Sequence, residues 1–337
     1  MNDVERKQFW ETLCSLDGKD IAADSKKLKE TIVLPEKLYR YRSLSVNSLE
    51  ALKNNRLYFS TADYYDDPFD TFINVRIKGI RPSLMCLQDA DEQQLGLLLK
   101  LLVKSFKGVE LESDAAIATI KQLKEVFVKE ESKAAMEAYF RNIRNEIKKD
   151  IFSACFSESP VNETLWLKYA EQHKGFAVEY DLLDEKKKMC GKQDKCTNCG
   201  LNKFGMSLYP IYYSDEMYDA TSFAQYLAAC KAVGDSLNDD ILKKIQLLFG
   251  KQMWESEKIS LIKKTCHKYD EEWRLIITAP MNAPVCCEWI PSAVYLGLNM
   301  NPKDMDLVSD IAKSAGVEKI YKCVITDEGK LDTELME

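Results

Sequence analysis

Three separated stretches of this 337-residue chain carry the residue types most able to do chemistry. KYDEEWRLIIT, residues 268–278, alternates as a strand, which sets Asp270, Glu272 and Arg274 on one face and Tyr269, Glu271 and Trp273 on the other. Carboxylates at i and i+2 with an arginine next along can stabilise a cation or a developing positive charge, or can form a structural ion-pair ladder. LYRYR, residues 38–42, alternates in the same way, so Arg40 and Arg42 share a face. They are suited to gripping a phosphate bidentately, or to pairing with Asp66, Asp67 or Glu272. Residues 152–181 read as strand, turn, helix, strand. The first strand, with Phe156 in its apolar row, ends on the hydroxyl of Ser157. Ser159-Pro160 gives a helix start, Leu165, Trp166, Tyr169 and Ala170 its apolar stripe, and Gly175 a left-handed end.

Other groups narrow the chemistry. Cys190, Cys196 and Cys199 have the spacing of an incomplete zinc site that would need Cys266, His267 or another fourth ligand; free thiols in an exposed loop at about 185–205 are the alternative. There are 2 histidines, His173 and His267, which weighs against Ser-His-Asp hydrolases and histidine-pair ribonucleases. His173, near a helix end, is expected to be solvated or stabilised by the helix C-terminus. No P-loop, Rossmann or nucleophile-elbow motif is present. Asp66, Asp67, Asp70 and Glu272 leave a divalent-metal hydrolase open as a further class.

The elements that must position these residues alternate between sheet and helix. Period-two stretches at 38–42, 56–60, 72–78, 152–157, 175–181, 208–214, 268–278, 292–298 and 319–325 supply strands. Helical spacing dominates about 88–149 and 220–266, which read as insertions into a single elaborated α+β domain spanning 1–337. A formal net charge of −7 argues against a general nucleic-acid binder. A charged N-terminal stretch and the lack of any long apolar run predict a cytoplasmic protein with no membrane partner, its 11 cysteines reduced.

Four stretches, LYRYRSL with LYFSTADYYDDPFD, CFSESPVNETLWLKYAEQHKGFAVEYD, DEEWRLI and PSAVYLGL, together resemble the bacterial family filed as domain of unknown function 2971. Where that family usually shows Asn-Asp-Pro-Phe-Glu, this chain has Asp66-Asp67-Pro68-Phe69-Asp70; where it shows Glu-x-Glu before an aromatic, this chain has Asp270-Glu271-Glu272. The order of elements is more distantly similar to that of the ADP-ribosyltransferases. In those enzymes an arginine or histidine lies on a first strand, a small hydroxyl or aromatic residue on a second, and an essential glutamate on a later one. The resemblance implies a central mixed or antiparallel sheet with large helical insertions, and NAD as substrate. It implies Arg42 and Arg40 on the phosphates, Tyr65 or Phe156 (or Tyr64) stacked on nicotinamide, and Glu272, Ser157 and Asp270 as catalytic residues. The implied protein is an ADP-ribosyltransferase-like toxin or phage-defence effector acting on an acceptor macromolecule. A non-enzymatic nucleotide-sensing or interaction module of a defence system is the alternative. Both take a small-molecule nucleotide as ligand.

The cysteine loop yields the first test. Metal analysis of purified protein is expected to find clearly less than one zinc per chain, with Cys196→Ser folding normally. One tightly held zinc, and unfolding on chelation, would establish a four-coordinate structural site instead.

Overall fold

The structure, a computed structural model, describes residues 1–76, 130–182, 208–233, 252–278 and 286–336, with positions 242 and 246. The loop carrying Cys190, Cys196 and Cys199 lies outside the described residues, as does much of both helical insertions. The described chain is mixed α+β around one large sheet of nine strands. Its order is β13 (Leu331–Leu335), β12 (Lys319–Ile325), β11 (Ala293–Leu296), β5 (Phe176–Asp181), β1 (Lys37–Arg42), β4 (Ile151–Ser157), β9 (Glu272–Thr278) and β6 (Leu208–Pro210), with β3 (Ser60–Thr61) also on β4. Every pairing is antiparallel except β11 with β12. Two short pairs stand apart: β10 (Cys286–Glu288) on β2 (Arg56–Tyr58), and β8 (Ile262–Lys263) on β7 (Tyr212–Tyr213).

Strand alternation sorts the side chains into cores on the two faces. Leu38, Phe152, Phe156, Val178, Trp273 and Leu275 bury one face together with Leu52 of the helix Val46–Lys53 and Val308 of a late helix, Pro302–Ser314. The opposite face divides. Ile151 and Ile276 pack with Phe9 and Leu13 of α1 (Asp3–Ser15) and with Phe140 and Ile147 of the helix Glu130–Asp150. Tyr39 and Tyr41 pack with Leu165 and Trp166 of the short helix Glu163–Tyr169. No described helix is long and apolar enough to cross a membrane.

β1 touches β4 at one register only, Tyr39 opposite Ser157, yet stays on β5 through Arg42 opposite Phe176. Farther back on β4 the same edge is taken by β3, with Ser60 opposite Ser153. The sheet therefore parts between β1 and β4. Arg40 and Arg42 share their strand face with the core residue Leu38, a position where charge is ordinarily excluded, and the parting is what gives them access to open space.

Several local expectations are corrected. The short helix after β4 is capped by Asn162, whose side chain accepts from Leu165 N–H at 3.1 Å, not by Ser159-Pro160. Its left-handed end falls on Glu171, Gln172 and His173, with φ of 52°, 57° and 66°, and Gly175 is not left-handed. Gly175 is needed for a different reason: a Cβ there would overlap the Arg42 carbonyl oxygen and crowd Ala170. Asp270 is not on the strand with Glu272. It ends a 3-10 turn, Thr265–Asp270, and Glu271, left-handed at φ 45°, rotates the chain between them. His173 is half-buried and is not stabilised as a cation; it stacks on Trp166 with ring centroids 5.9 Å apart, and burial lowers its pKa.

Because the Gly175 backbone abuts β1 at Arg42, Gly175→Ala is expected to lower stability by about 1–3 kcal/mol, measurable as a shifted urea midpoint. A midpoint unchanged from wild type would show that the close approach relaxes freely.

Candidate functional site

The parting of the sheet opens a cleft of about 510 Å³. All seven site residues expected from the sequence line it: Glu272, Ser157, Asp270, Arg42, Arg40, Tyr65 and Phe156. Cross-strand pairing explains part of this convergence. Ser157 lies opposite Glu272 and Cys155 opposite Arg274, so β4 and β9 turn these side chains to one face.

The floor of the cleft is a buried charge network. Arg274, 1% exposed, forks onto Asp70 through Nη1–Oδ1 at 2.8 Å and Nη2–Oδ2 at 2.6 Å, while its Nε donates to Glu272 Oε1 at 2.6 Å. Lys263 Nζ donates to Glu272 Oε2 at 2.8 Å and to Asp270 Oδ2 at 2.9 Å. Three carboxylates thus share two cations, which leaves this cluster one negative charge in excess. The main chain of Glu272 is also pinned: its N–H donates to Tyr213 OH at 2.8 Å and its carbonyl accepts from Arg6 Nη1 at 2.9 Å. His267 joins Asp67 to the network, with Nε2 3.0 Å from Asp67 Oδ2 and Nδ1 3.8 Å from Asp270 Oδ2.

The same lysine holds two carboxylates whose titrations diverge. For Glu272, burial acts to raise the pKa, but Arg274 and Lys263 overcome it and hold the carboxyl below its ordinary range. For Asp270, burial outweighs the single Lys263 contact and raises the pKa; its Oδ1 is buried with no hydrogen-bond partner. The same surroundings thus push the two carboxyl groups apart, Glu272 below its ordinary range and Asp270 above it. Cys155 is no nucleophile at neutral pH, since burial pushes its thiol up to about 11.

The arginine wall has the opposite character. Among the described residues no carboxylate lies within ion-pair distance of Arg40 or Arg42. The expected pairing of these arginines with Asp66, Asp67 or Glu272 is therefore overturned: Glu272 is taken by Lys263 and Arg274, and Asp67 by His267. Arg40 Nη2 donates to the Tyr58 carbonyl at 2.8 Å, its Nη1 has no partner, and its guanidinium lies 6.0 Å from the Phe156 ring centroid. Burial lowers the pKa of both, with the like charge of Arg40 adding to bring Arg42 to about 9. Such desolvated cations are costly without a counter-ion.

Tyr65 reaches the cleft as an anchor. Its hydroxyl hydrogen-bonds Ser153, and the Arg274 guanidinium sits 5.2 Å from its ring centroid. Ser157 is 2% exposed, and its hydroxyl receives a long hydrogen bond from Ser159 N–H at 3.4 Å. Lys263, the hub of the network, is absent from the residues singled out in the sequence. It lies in β8, a two-residue strand inside a stretch read as helix, and two residues are too few to show a period. Among the described residues no group of three or more His, Cys, Asp or Glu side chains is placed to hold a metal ion; Asp70 and Glu272 spend their oxygens on Arg274 and Lys263.

Comparison with known proteins returns no matching family model, curated protein or solved structure.

The folded state favours ionised Glu272, so its contribution to stability is fully present above the unfolded-state value, about pH 4.3, and is lost as pH falls through and below it. Asp270, with its pKa raised, acts in the opposite sense: its ionisation costs stability as pH rises past about 3.9. Stability followed by denaturation between pH 7 and 3 should fall on acidification in the wild type, and the fall should be shallower in Glu272→Gln. Parallel curves would mean that Glu272 titrates alike in both states.

Proposed function

We propose that this protein is an NAD-dependent ADP-ribosyltransferase-like enzyme, related to the bacterial family of domain of unknown function 2971, with its active site in the cleft between β1 and β4. The observation that carries the reading is the meeting, in one cleft, of two arginines without carboxylate partners, Arg40 buried and Arg42 half-buried, and a preorganised, net-negative carboxylate cluster. Arg40 and Arg42 hold the diphosphate of NAD, whose charge supplies the counter-ions they lack. Phe156 or the exposed Tyr64 offers an aromatic face to the nicotinamide ring.

The glycosidic bond between ribose C1′ and the nicotinamide nitrogen then breaks, and nicotinamide leaves with the bonding electron pair. Positive charge develops on the ribose, as in other oxocarbenium-like transition states. Glu272 stays ionised beneath it and stabilises that charge without reorganising, because Lys263, Arg274 and its own pinned backbone fix its position. Asp270 accepts the proton released by the attacking acceptor group through its unpartnered Oδ1. Ser157, next to Glu272 across the strands, orients the sugar. The role is that of a toxin or phage-defence effector, with a macromolecular acceptor.

One observation favours a second reading, a nucleotide sensor that binds without turnover. Both oxygens of Glu272 already accept charged hydrogen bonds, which weakens the field it can offer a cationic ribose.

The two readings part in one experiment. Nicotinamide release from NAD is expected in the wild type and is expected to drop about 10²–10³-fold in Glu272→Gln. Arg42→Ala should weaken NAD binding by about 1.5–3 kcal/mol, with melting temperatures recorded on the same samples. Binding without nicotinamide release would support the sensor. No binding of NAD at millimolar concentration, or full turnover in a normally folded Glu272→Gln, would overturn the transferase.

A further inference from the structure

Five tyrosines line the cleft, and three of them are engaged elsewhere. Tyr39 meets the Tyr295 ring edge-on at 5.6 Å, Tyr41 donates to the Ser159 carbonyl, and Tyr65 hydrogen-bonds Ser153 and lies against the Arg274 guanidinium. Tyr64 and Tyr169 differ. Both are exposed, and among the described residues neither has a partner for its ring or its hydroxyl. Tyr169 ends the helix Glu163–Tyr169, whose apolar stripe is otherwise buried at Leu165, Trp166 and Ala170. Tyr169 itself is 45% exposed and lines the cleft.

That helix is tied down beside the carboxylates. At its start the Asn162 side chain donates to the Tyr269 carbonyl, and near its end Lys168 Nζ donates to the Tyr269 hydroxyl. Tyr269 immediately precedes Asp270 in the same 3-10 turn, so the helix end that carries Tyr169 is fixed beside Asp270. Desolvation in the cleft raises the pKa of the Tyr169 hydroxyl, and Lys263, Asp270 and Glu272 all act on it.

The bond that breaks in the proposed reaction joins nicotinamide to the ribose served by Glu272 and Asp270. An aromatic ring fixed beside Asp270 is therefore next to nicotinamide, while adenine lies beyond the diphosphate. In NAD the nicotinamide ring is a cationic pyridinium, and the negative π-face of a phenol attracts a planar cation. We propose that Tyr169 is a substrate-contacting residue whose ring stacks on the nicotinamide of the dinucleotide and selects a cationic heteroaromatic at that end of the cleft. This rests on the dinucleotide reading of the cleft and deepens it. Tyr169 joins Phe156 and Tyr64 as an aromatic face there, and a cleft of about 510 Å³ is in the size range of small-molecule sites.

Isothermal titration with two ligands separates a nicotinamide contact from a general one. Carba-NAD, in which a methylene replaces the ring oxygen of the nicotinamide ribose, cannot form the oxocarbenium and binds without being consumed. ADP-ribose carries the same adenosine and diphosphate but no nicotinamide. Tyr169→Ala is expected to weaken carba-NAD binding about tenfold, the effect of one lost stacking partner. It should leave ADP-ribose affinity within about twofold, and the melting temperature should hold because the side chain is exposed. Tyr169→Phe keeps the ring and should bind both ligands as the wild type does. Unchanged carba-NAD binding in Tyr169→Ala, an equal loss for both ligands, or an equal defect in Tyr169→Phe would overturn the stacking role. So would a wild type that binds ADP-ribose but not carba-NAD; in each case the dinucleotide cleft still stands. Failure of the wild type to bind either ligand at millimolar concentration would overturn the cleft reading and the Tyr169 contact together.

Discussion

The site depends on the burial of Arg274. Its guanidinium ties three parts of the chain together: Asp70 from the loop after β3, Glu272 from its own strand, and the Ser260 carbonyl at 2.8 Å from the segment before β8. None of these contacts is local in sequence except Glu272. Removing so many charges from water is costly, and the cost is offset only where geometry is good and each lone pair or proton finds a partner. Here the bidentate fork and the Lys263 bridge provide that geometry. The cluster therefore ties β9, β8 and the Asp70 loop to one another.

The cleft has two walls of unlike chemistry because the sheet parts where it does. On the β4–β9 side, charges are paired, packed and rigid. On the β1 side, arginines stand on a strand face that otherwise belongs to the core, with one hydrogen bond to a carbonyl and no acid. Tyr39 and Tyr41, on the other face of β1, anchor the strand: Tyr41 OH donates to the Ser159 carbonyl at 2.7 Å, and its ring meets Trp166 edge-on at 5.1 Å. The strand is thus held by its aromatic face while its cationic face remains available. A site that stores uncompensated charge in this way gains affinity for an anion at the expense of the empty state.

Fixing Glu272 has two consequences that oppose each other. Its neighbours hold its carboxyl below the ordinary range and occupy both of its oxygens, which the electrostatic role proposed for it requires. The same neighbours screen its charge. Which effect prevails depends on the cluster's sum, and three carboxylates against Lys263 and Arg274 leave an excess of negative charge, with Asp67 and His267 at the margin.

What the sequence determined by itself was the local geometry with a short period. Alternation in 38–42 and 152–157 placed Arg40 with Arg42 and Ser157 at a strand end, and the structure keeps both. The helix Val46–Lys53 could take its cap from Ser43 or Ser45 by sequence, and Ser45 takes it, its side chain accepting from Ser48 N–H at 3.3 Å. Three things were decided only in three dimensions. Whether Arg40 and Arg42 would find acids depended on where the sheet parts, a long-range outcome of β3 displacing β1 along β4. Asp270 left its predicted strand because Glu271 turned left-handed, a torsion that spacing does not announce. Lys263 became the hub although its strand is two residues long, because a charge network is chosen by distance in space and not by periodicity along the chain.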